Sequence, residues 1–207
     1  MRVLVTGATG GLGSALARAL AGQELFLSGR RAGPLLDLAR EVGGRALPAD
    51  LTDELSAKAL LEEVGPLDLL LHAVGVAGRS PVREVGRVAL EEMLAAHLLT
   101  AVFLLKHARF SRGARAVFFG AYPAYVRVPG FAPYAAAKGA LEAYLEAARK
   151  EMAREGVSLV LVRLPAVATG LWTPLGGPPK GALSPEEAAK RVLEGVLREP
   201  PPALLEV

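Results

Sequence analysis

The 207-residue chain contains no cysteine, which excludes disulfides, thiolate metal sites and thiol nucleophiles. Asparagine is also absent, and glutamine occurs once, at Gln23. Depletion of these labile amides, beside abundant Pro, Arg, Leu and Ala, resembles a heat-adapted, GC-rich proteome. Wherever a fold would normally use an Asn, another residue therefore stands here for reasons that need not be mechanistic. Only three histidines occur, His72, His97 and His107, without tight ligand spacing, so no metal site is expected. Half the chain is apolar, yet no uninterrupted apolar run reaches the roughly 20 residues that span a bilayer. The chain opens directly on the strand-like Arg2-Val3-Leu4-Val5, leaving no room for a secretory signal, so a cytoplasmic protein without membrane partners is expected. The net charge is only +3 and the basic residues are scattered; Arg30-Arg31 is a pair, not a patch. Nucleic acid is accordingly not expected as a partner.

What is present is a regular alternation of elements. Short apolar runs at 2–6, 24–28, 45–48, 67–71, 114–119, 157–163 and, weakly, 203–207 read as strands. Helical patterns near 11–22, 33–42, 53–64, 87–109, 131–155 and 184–198 separate them. Such alternation predicts an α/β fold, a doubly wound parallel sheet of six to seven strands with helices on both faces. The continuous runs Leu67–Leu71 and Leu159–Val162 read as central strands buried on both sides. No internal repeat or domain boundary is visible. The Pro/Gly-rich stretch 174–181 is followed by too little chain for a second domain, so it reads as a loop at the carboxyl edge of the sheet, where such folds bind ligands. A single domain over 1–207 is expected.

The first strand runs into Thr6-Gly7-Ala8-Thr9-Gly10-Gly11-Leu12-Gly13, and a helix follows. Glycines there let the backbone bend and approach a pyrophosphate, while the helix start offers free N–H groups and a positive dipole end. No Lys-Ser/Thr follows, which excludes a P-loop. At the end of the second strand, NAD-binding folds of this type place a carboxylate on the adenosine ribose. Here the stretch is Ser28-Gly29-Arg30-Arg31: Gly29 holds the acidic position and Arg30 follows. A guanidinium can bind a 2′-phosphate that a carboxylate would repel, so NADP is expected over NAD; the alternative is that both arginines are solvated loop charges. Further on, Tyr134-Ala135-Ala136-Ala137-Lys138 opens an Ala-rich helix, where residues four apart share a face. A phenol with a pKa of about 10 is a poor acid or base at neutral pH, and a nearby cation favours its ionised form.

TGATGGLG and YAAAK together resemble the short-chain dehydrogenase/reductase family, whose motifs are TGxxxGxG and YxxxK. The glycine string also satisfies the TGxxGxxG spacing of the family's longer, epimerase-like branch, but the length of this chain favours the single-domain branch. The resemblance implies a Rossmann-type fold and hydride transfer between a nicotinamide cofactor and a small carbonyl or alcohol substrate. Gly7, Thr9, Gly10, Gly11, Leu12 and Gly13 would hold the pyrophosphate, and Ser28, Gly29, Arg30 and Arg31 the adenosine ribose. Asp50-Leu51 would contact the adenine, although Asp50 or Thr52 could instead cap the next helix. Tyr134 would exchange the proton with the substrate oxygen, and Lys138 would also bind the nicotinamide ribose. Ala73, Val74 and Gly75 would line the cofactor within His72-Ala73-Val74-Gly75, where the family has NNAG. Pro165 and Thr169 would meet the carboxamide.

Two departures stand out. The family's catalytic Ser, thirteen residues before the Tyr, is Ala121, and Tyr122 beside it is the nearest substitute hydroxyl. The family's Asn in the helix after the fourth strand aligns with His97, which either takes over its place in a proton relay or is a polar replacement in a chain that avoids Asn. Substrate-pocket shape would depend on the loops 76–86, 120–130 and 170–183, with Leu171, Trp172, Leu175 and Leu183 forming an apolar lid. Ser184-Pro185-Glu186-Glu187 reads as a helix start. Pairing through 87–109 and 131–155 would give a homodimer or homotetramer. The missing Ser also leaves a second reading open, a dinucleotide-binding sensor with little turnover.

Overall fold

In a computed structural model describing residues 1–207, the alternating runs become seven parallel strands in the order β3-β2-β1-β4-β5-β6-β7. The strands are β1 (Arg2–Thr6), β2 (Glu24–Gly29), β3 (Arg45–Pro48), β4 (Leu67–His72), β5 (Phe110–Ala121), β6 (Ser158–Leu164) and β7 (Leu204–Glu206). Helices α1 (Gly11–Ala19), α2 (Ala32–Val42), α3 (Glu54–Val64), α4 (Arg87–Leu94), α5 (Thr100–His107), α6 (Pro123–Val126), α7 (Ala132–Arg154) and α8 (Pro185–Val196) connect them. This is a Rossmann-type α/β fold. The strand order reverses between β1 and β4, and the crevice at the carboxyl ends of those strands is where such sheets take ligands.

Successive side chains on a strand point to opposite faces, and the core divides accordingly. Val3, Val5, Leu25, Leu27, Leu69, Leu71, Val160 and Val162 pack with α1, α2 and α8 on one face. Leu4, Phe26, Leu70, Phe118, Leu159 and Leu161 pack with α3, α5 and α7 on the other. The runs 67–71 and 159–162 are thus buried on both sides, as their predominantly apolar character requires. The one polar residue among them, Asp68, is occupied at the strand edge, where it accepts from the Arg2 amide at 2.8 Å.

Several boundaries differ from the sequence expectation for identifiable reasons. β5 starts four residues early because Phe110 already pairs with Leu67, before the register shifts ahead of the Leu69–Arg115 pair. The segment expected as one helix over 87–109 contains a π-helical turn, Ala95–Leu99, between α4 and α5. Its composition and length would also suit a membrane crossing, but Ala101, Leu104 and Leu105 are buried against the sheet, so it serves as a core helix. The cap of α3 is neither Asp50 nor Thr52: Asp53 accepts from the Ser56 amide at 2.8 Å. Asp50 instead closes a local turn, accepting from the Thr52 amide and hydroxyl at 3.0 and 2.7 Å. Ser184 caps α8 as expected, accepting from the Glu187 amide.

Candidate active site

The carboxyl ends of β1 and β4 bring the glycine loop against the segment after His72. Gly7 has φ +68°, and a Cβ there would lie 2.7 Å from the Ala73 carbonyl group and 2.8 Å from the Val74 nitrogen. Any side chain would push the loop off the sheet. The Ala73 amide donates to Thr6 O and the Ala8 amide to Ser28 O, both at 3.0 Å, so the loop is stitched to β1 and β2. Gly10 precedes α1 without a side-chain cap, and the first turn carries no acid. The amides of Gly11, Leu12 and Gly13 are therefore left for an external anion. Gly11 is approached from the other side by Thr169, whose Cγ2 would lie 2.6 Å from a Cβ at this position. The residue expected at the carboxamide thus sits directly on the glycine loop, with its hydroxyl accepting from the Leu171 amide at 3.3 Å. Pro165 is half-buried just after β6.

At the ribose end the expected residues divide. Arg30 and Arg31 are exposed at the start of α2 and make no ion pair, and Gly29 lies beside the Thr9 hydroxyl. Ser28 is fully buried, and its hydroxyl has no partner. Its carbonyl accepts from the Ala8 amide of the glycine loop. Leu51 is likewise buried in the core beneath the site, whereas Asp50 is exposed, with Arg30 close enough to help hold its carboxyl below the ordinary range after the larger effect of the Thr52 bonds.

Pro133 sits in the first turn of α7, where its missing N–H costs nothing. One helical face then carries Tyr134, Ala137, Leu141, Leu145 and Met152 inward. Tyr134 is 8% exposed, and Lys138 lies one turn on with its Nζ 5.6 Å from the phenol ring centroid. The Lys138 ammonium donates to Phe119 O on β5 at 2.7 Å. The cation does not pull the phenol down as expected. Burial pushes Tyr134 up to about 12, because removing phenolate from water outweighs a cation already engaged by a carbonyl. Burial also brings Lys138 down to about 8. Tyr134 is therefore a proton-bearing acid at neutral pH.

Ala121 packs against the cluster of Val126, Phe131 and Tyr134, so a methyl group stands beside that cluster where the family pattern has a hydroxyl. Tyr122 does not replace it. Its hydroxyl points towards the opposite edge of the sheet and donates to Val207 O at 3.2 Å. The backbone is still extended at Tyr122, so consecutive residues 121 and 122 face different sides, which corrects the expectation for Tyr122.

His97 lies in the π-helical turn, a distortion that recurs at functional sites. It is buried, with its ring 5.3 Å from that of Tyr134 in an edge-on arrangement and against Gly75. Nε2 lies 2.7 Å from Val76 O, so it carries the hydrogen and donates. Nδ1 is then a bare acceptor, buried without a partner. Burial, followed by the nearby Lys138 charge, holds the imidazole neutral, well below its ordinary value.

His72 forms a brace that the sequence does not reveal. The Thr100 hydroxyl donates to Ala96 O at 2.9 Å, so it accepts from His72 Nε2–H at 2.9 Å. His72 Nδ1 in turn accepts from Thr6 Oγ1 at 2.7 Å. All three side chains are buried, and desolvation keeps His72 neutral, down to about 3. The glycine loop on β1 is thereby tied through β4 to the π-helical turn that carries His97.

Comparison with known proteins identifies the family and the fold. Residues 1–177 match the model of the short-chain dehydrogenase family. The chain belongs to the short-chain dehydrogenase/reductase family. It is 30% identical to gluconate 5-dehydrogenase of Gluconobacter oxydans, over 76% of this chain and 68% of the relative. It is 31% identical to 7beta-hydroxysteroid dehydrogenase of Clostridium sardiniense, over 82% and 70%. Among solved structures, a short-chain oxidoreductase from Thermus thermophilus superposes with a TM-score of 0.93 at 79% identity, covering both chains completely. BdcA, solved with NADPH, shares the fold at a TM-score of 0.87 and 22% identity, covering 99% and 91%.

Lys138 sits in a setting that makes it titrate, since burial lowers its ammonium to about 8. The ammonium is present below a pH of about 8. If it supports proton donation by Tyr134, carbonyl-reduction kcat/KM falls as pH rises through about 8, and the Lys138→Met profile lacks that break. The same shift predicts stability. Between about 8 and the ordinary 10.5 the unfolded chain holds the proton that the folded chain has lost, so stability rises with pH across this window. Thermal melts of the wild type and Lys138→Met at several pH values isolate the contribution; parallel curves would refute it.

The expected lid is partly a core element. Trp172 donates Nε1–H to Val167 O at 2.8 Å and Leu183 packs on the sheet core, whereas Leu175 packs on the Tyr134 cluster. Met93 of α4 joins that cluster without any signal in the family motifs.

Proposed function

We propose that this short-chain dehydrogenase/reductase is an NADP-dependent carbonyl reductase or alcohol dehydrogenase acting on a small molecule, with Tyr134 as proton donor and acceptor. The observation that carries the reading is the buried phenol one helical turn from a buried ammonium, beside a loop whose free amides suit a pyrophosphate. The cradle fits the dinucleotide: Gly7 and the Gly11–Gly13 amides for the pyrophosphate, Ala73, Val74, Gly75, Pro165 and Thr169 along it, and Lys138 for the nicotinamide ribose. When bound, the dinucleotide supplies or takes up the hydride. Tyr134 gives its proton to the substrate oxygen, and the ammonium beside it offsets the phenolate that results. The bare Nδ1 of His97 can hold the hydrogen of a relay water. The reading treats residues 1–207 as one cytoplasmic domain that pairs through α4, α5 and α7.

Cofactor choice rests on the two unpaired guanidinium groups of Arg30 and Arg31, with no carboxylate at Gly29. NADPH is expected to bind at least about tenfold tighter than NADH, since a charge-assisted bidentate contact contributes more than about 1.4 kcal/mol. Arg30→Ala removes most of the difference. Titrations followed by nicotinamide or Trp172 fluorescence measure it, and equal affinities would defeat the assignment.

The methyl of Ala121 favours one second reading, a dinucleotide-binding protein with slow turnover. The relatives' names span a sugar acid, a steroid and a hydroxynaphthalene, so they select no substrate for this chain.

A further inference from the structure

The formal charge of the molecule is unevenly placed. Lys and Arg number 24 against 21 Asp and Glu. The loops 76–86, 120–130 and 170–183 hold Arg79, Arg83, Arg127 and Lys180 against Glu84 alone, so the remaining twenty cations and twenty anions balance. The whole net charge of +3 thus sits on three loops. Each of them also puts a side chain on the Tyr134 cluster: Ala77 from the first, Ala121 and Val126 from the second, Leu175 from the third. All four cations are exposed, and none is among the twelve ion pairs of the structure. Elsewhere the exposed Arg18, Arg40, Arg87 and Arg191 each pair with a carboxylate.

Arg79 is distinct within this group because its position is held. The Ser80 amide donates to Gly130 O at 2.8 Å, pinning the first loop to the second. The Arg79 stem runs along Gly130, and its guanidinium carbon lies 4.9 Å from the centroid of Phe131. Phe131 in turn lies 6.0 Å, centroid to centroid, from Tyr134, so one aromatic ring separates the guanidinium from the phenol. Stacking a guanidinium on a ring leaves its five N–H donors projecting in plane, and here none is used by the protein. That is a preset fork for a planar or tetrahedral anion.

We propose that Arg79 reads an anionic group, a carboxylate or a phosphate monoester, carried by the substrate one ring-width from the carbonyl that Tyr134 serves, while Arg83, Arg127 and Lys180 draw such substrates to the mouth. The proposal rests on the oxidoreductase reading for the identity of the reacting carbonyl, but anion recognition is measurable without turnover. Positive loops over an apolar floor focus the field at the site, so the attraction weakens with salt.

The test uses the full chain saturated with NADPH. Straight-chain keto acids of increasing length, each paired with its methyl ester, are titrated by quenching of nicotinamide fluorescence and assayed for turnover; dihydroxyacetone phosphate paired with dihydroxyacetone forms the phosphate arm. At one chain length the acid is expected to bind and react at least tenfold better than its ester, with the advantage shrinking as salt rises. Arg79→Gln should bring the acid-to-ester ratio close to one, mainly through KM. Arg154→Gln, which removes an exposed charge at the far end of α7, should leave the ratio unchanged. Preference in the phosphate arm alone identifies phosphate as the anion. Anion-selective binding lost in Arg79→Gln, but without turnover, would sustain this proposal and defeat the oxidoreductase reading. Esters performing as well as acids, no anion binding, or an unchanged ratio in Arg79→Gln would overturn the proposal.

Discussion

Tyr134→Phe is expected to lower the rate of carbonyl reduction by about 10²–10⁴-fold, the range for losing a positioned general acid. The fold should survive, because the Phe ring can keep the contacts of the phenol ring with His97 and Phe131. Dinucleotide binding should remain measurable, because the pyrophosphate loop and Lys138 are untouched. The phenol is pushed up to about 12, so the wild type carries the proton throughout the neutral range, and the variant's deficit should be the same at any pH below about 8. Single-turnover reduction with bound NADPH measures the effect without interference from product release. Turnover equal to the wild type would mean that another group supplies the proton. A wild type that binds NADPH and reduces nothing would leave the slow-turnover reading in possession.

Much of this site was legible in the chain because it is encoded by local geometry. The glycine string has one backbone solution, set by the positive φ of Gly7 and by the approach of Ala73, and the YAAAK spacing brings two side chains to one face of α7. The alternation of two-sided apolar runs with amphipathic helices likewise specified a parallel sheet. The weak run 203–207 does form an edge strand, pairing Leu204 with Leu161 and Leu205 with Val162.

What escaped the sequence depends on contacts between distant segments. Thr6, His72 and Thr100 look like three unrelated polar residues until the sheet brings the ends of β1 and β4 against α5. The π-helical turn has no periodic signature, since one added residue in a helix of about twenty barely disturbs the apolar pattern. Tyr122 was a plausible hydroxyl by adjacency alone, yet the turn into α6 sends it to Val207. The expected acidic phenol failed similarly: Lys138 is at the right spacing, but Phe119 O already engages it and burial dominates. Asp53 was passed over as a cap because Asp50 and Thr52 carry equally good capping chemistry, and only the path of the chain decides among them.

Ala121→Ser should raise carbonyl-reduction kcat by about tenfold to a hundredfold. A single donor to a developing oxyanion is generally worth about 10²–10³ in rate, and a newly introduced one recovers only part of that. Ala121 is half-buried at the end of β5, paired with Leu164, and packs on the cluster that holds Tyr134, so a hydroxyl is added on the side chain of a residue already at that cluster, at a cost of one small polar atom. The unpartnered Nδ1 of His97 cannot take this role, because it offers only a lone pair and an oxyanion needs a donor. The gain should appear in kcat more than in KM, since the new bond strengthens as charge develops on the oxygen. It should vanish when Tyr134→Phe is added, because without a proton donor a second hydrogen bond has little to accelerate. An unchanged kcat in Ala121→Ser would mean that the substrate oxygen lies away from residue 121, and that in this chain the loss of the hydroxyl has been accommodated by moving the substrate rather than tolerated at the expense of rate.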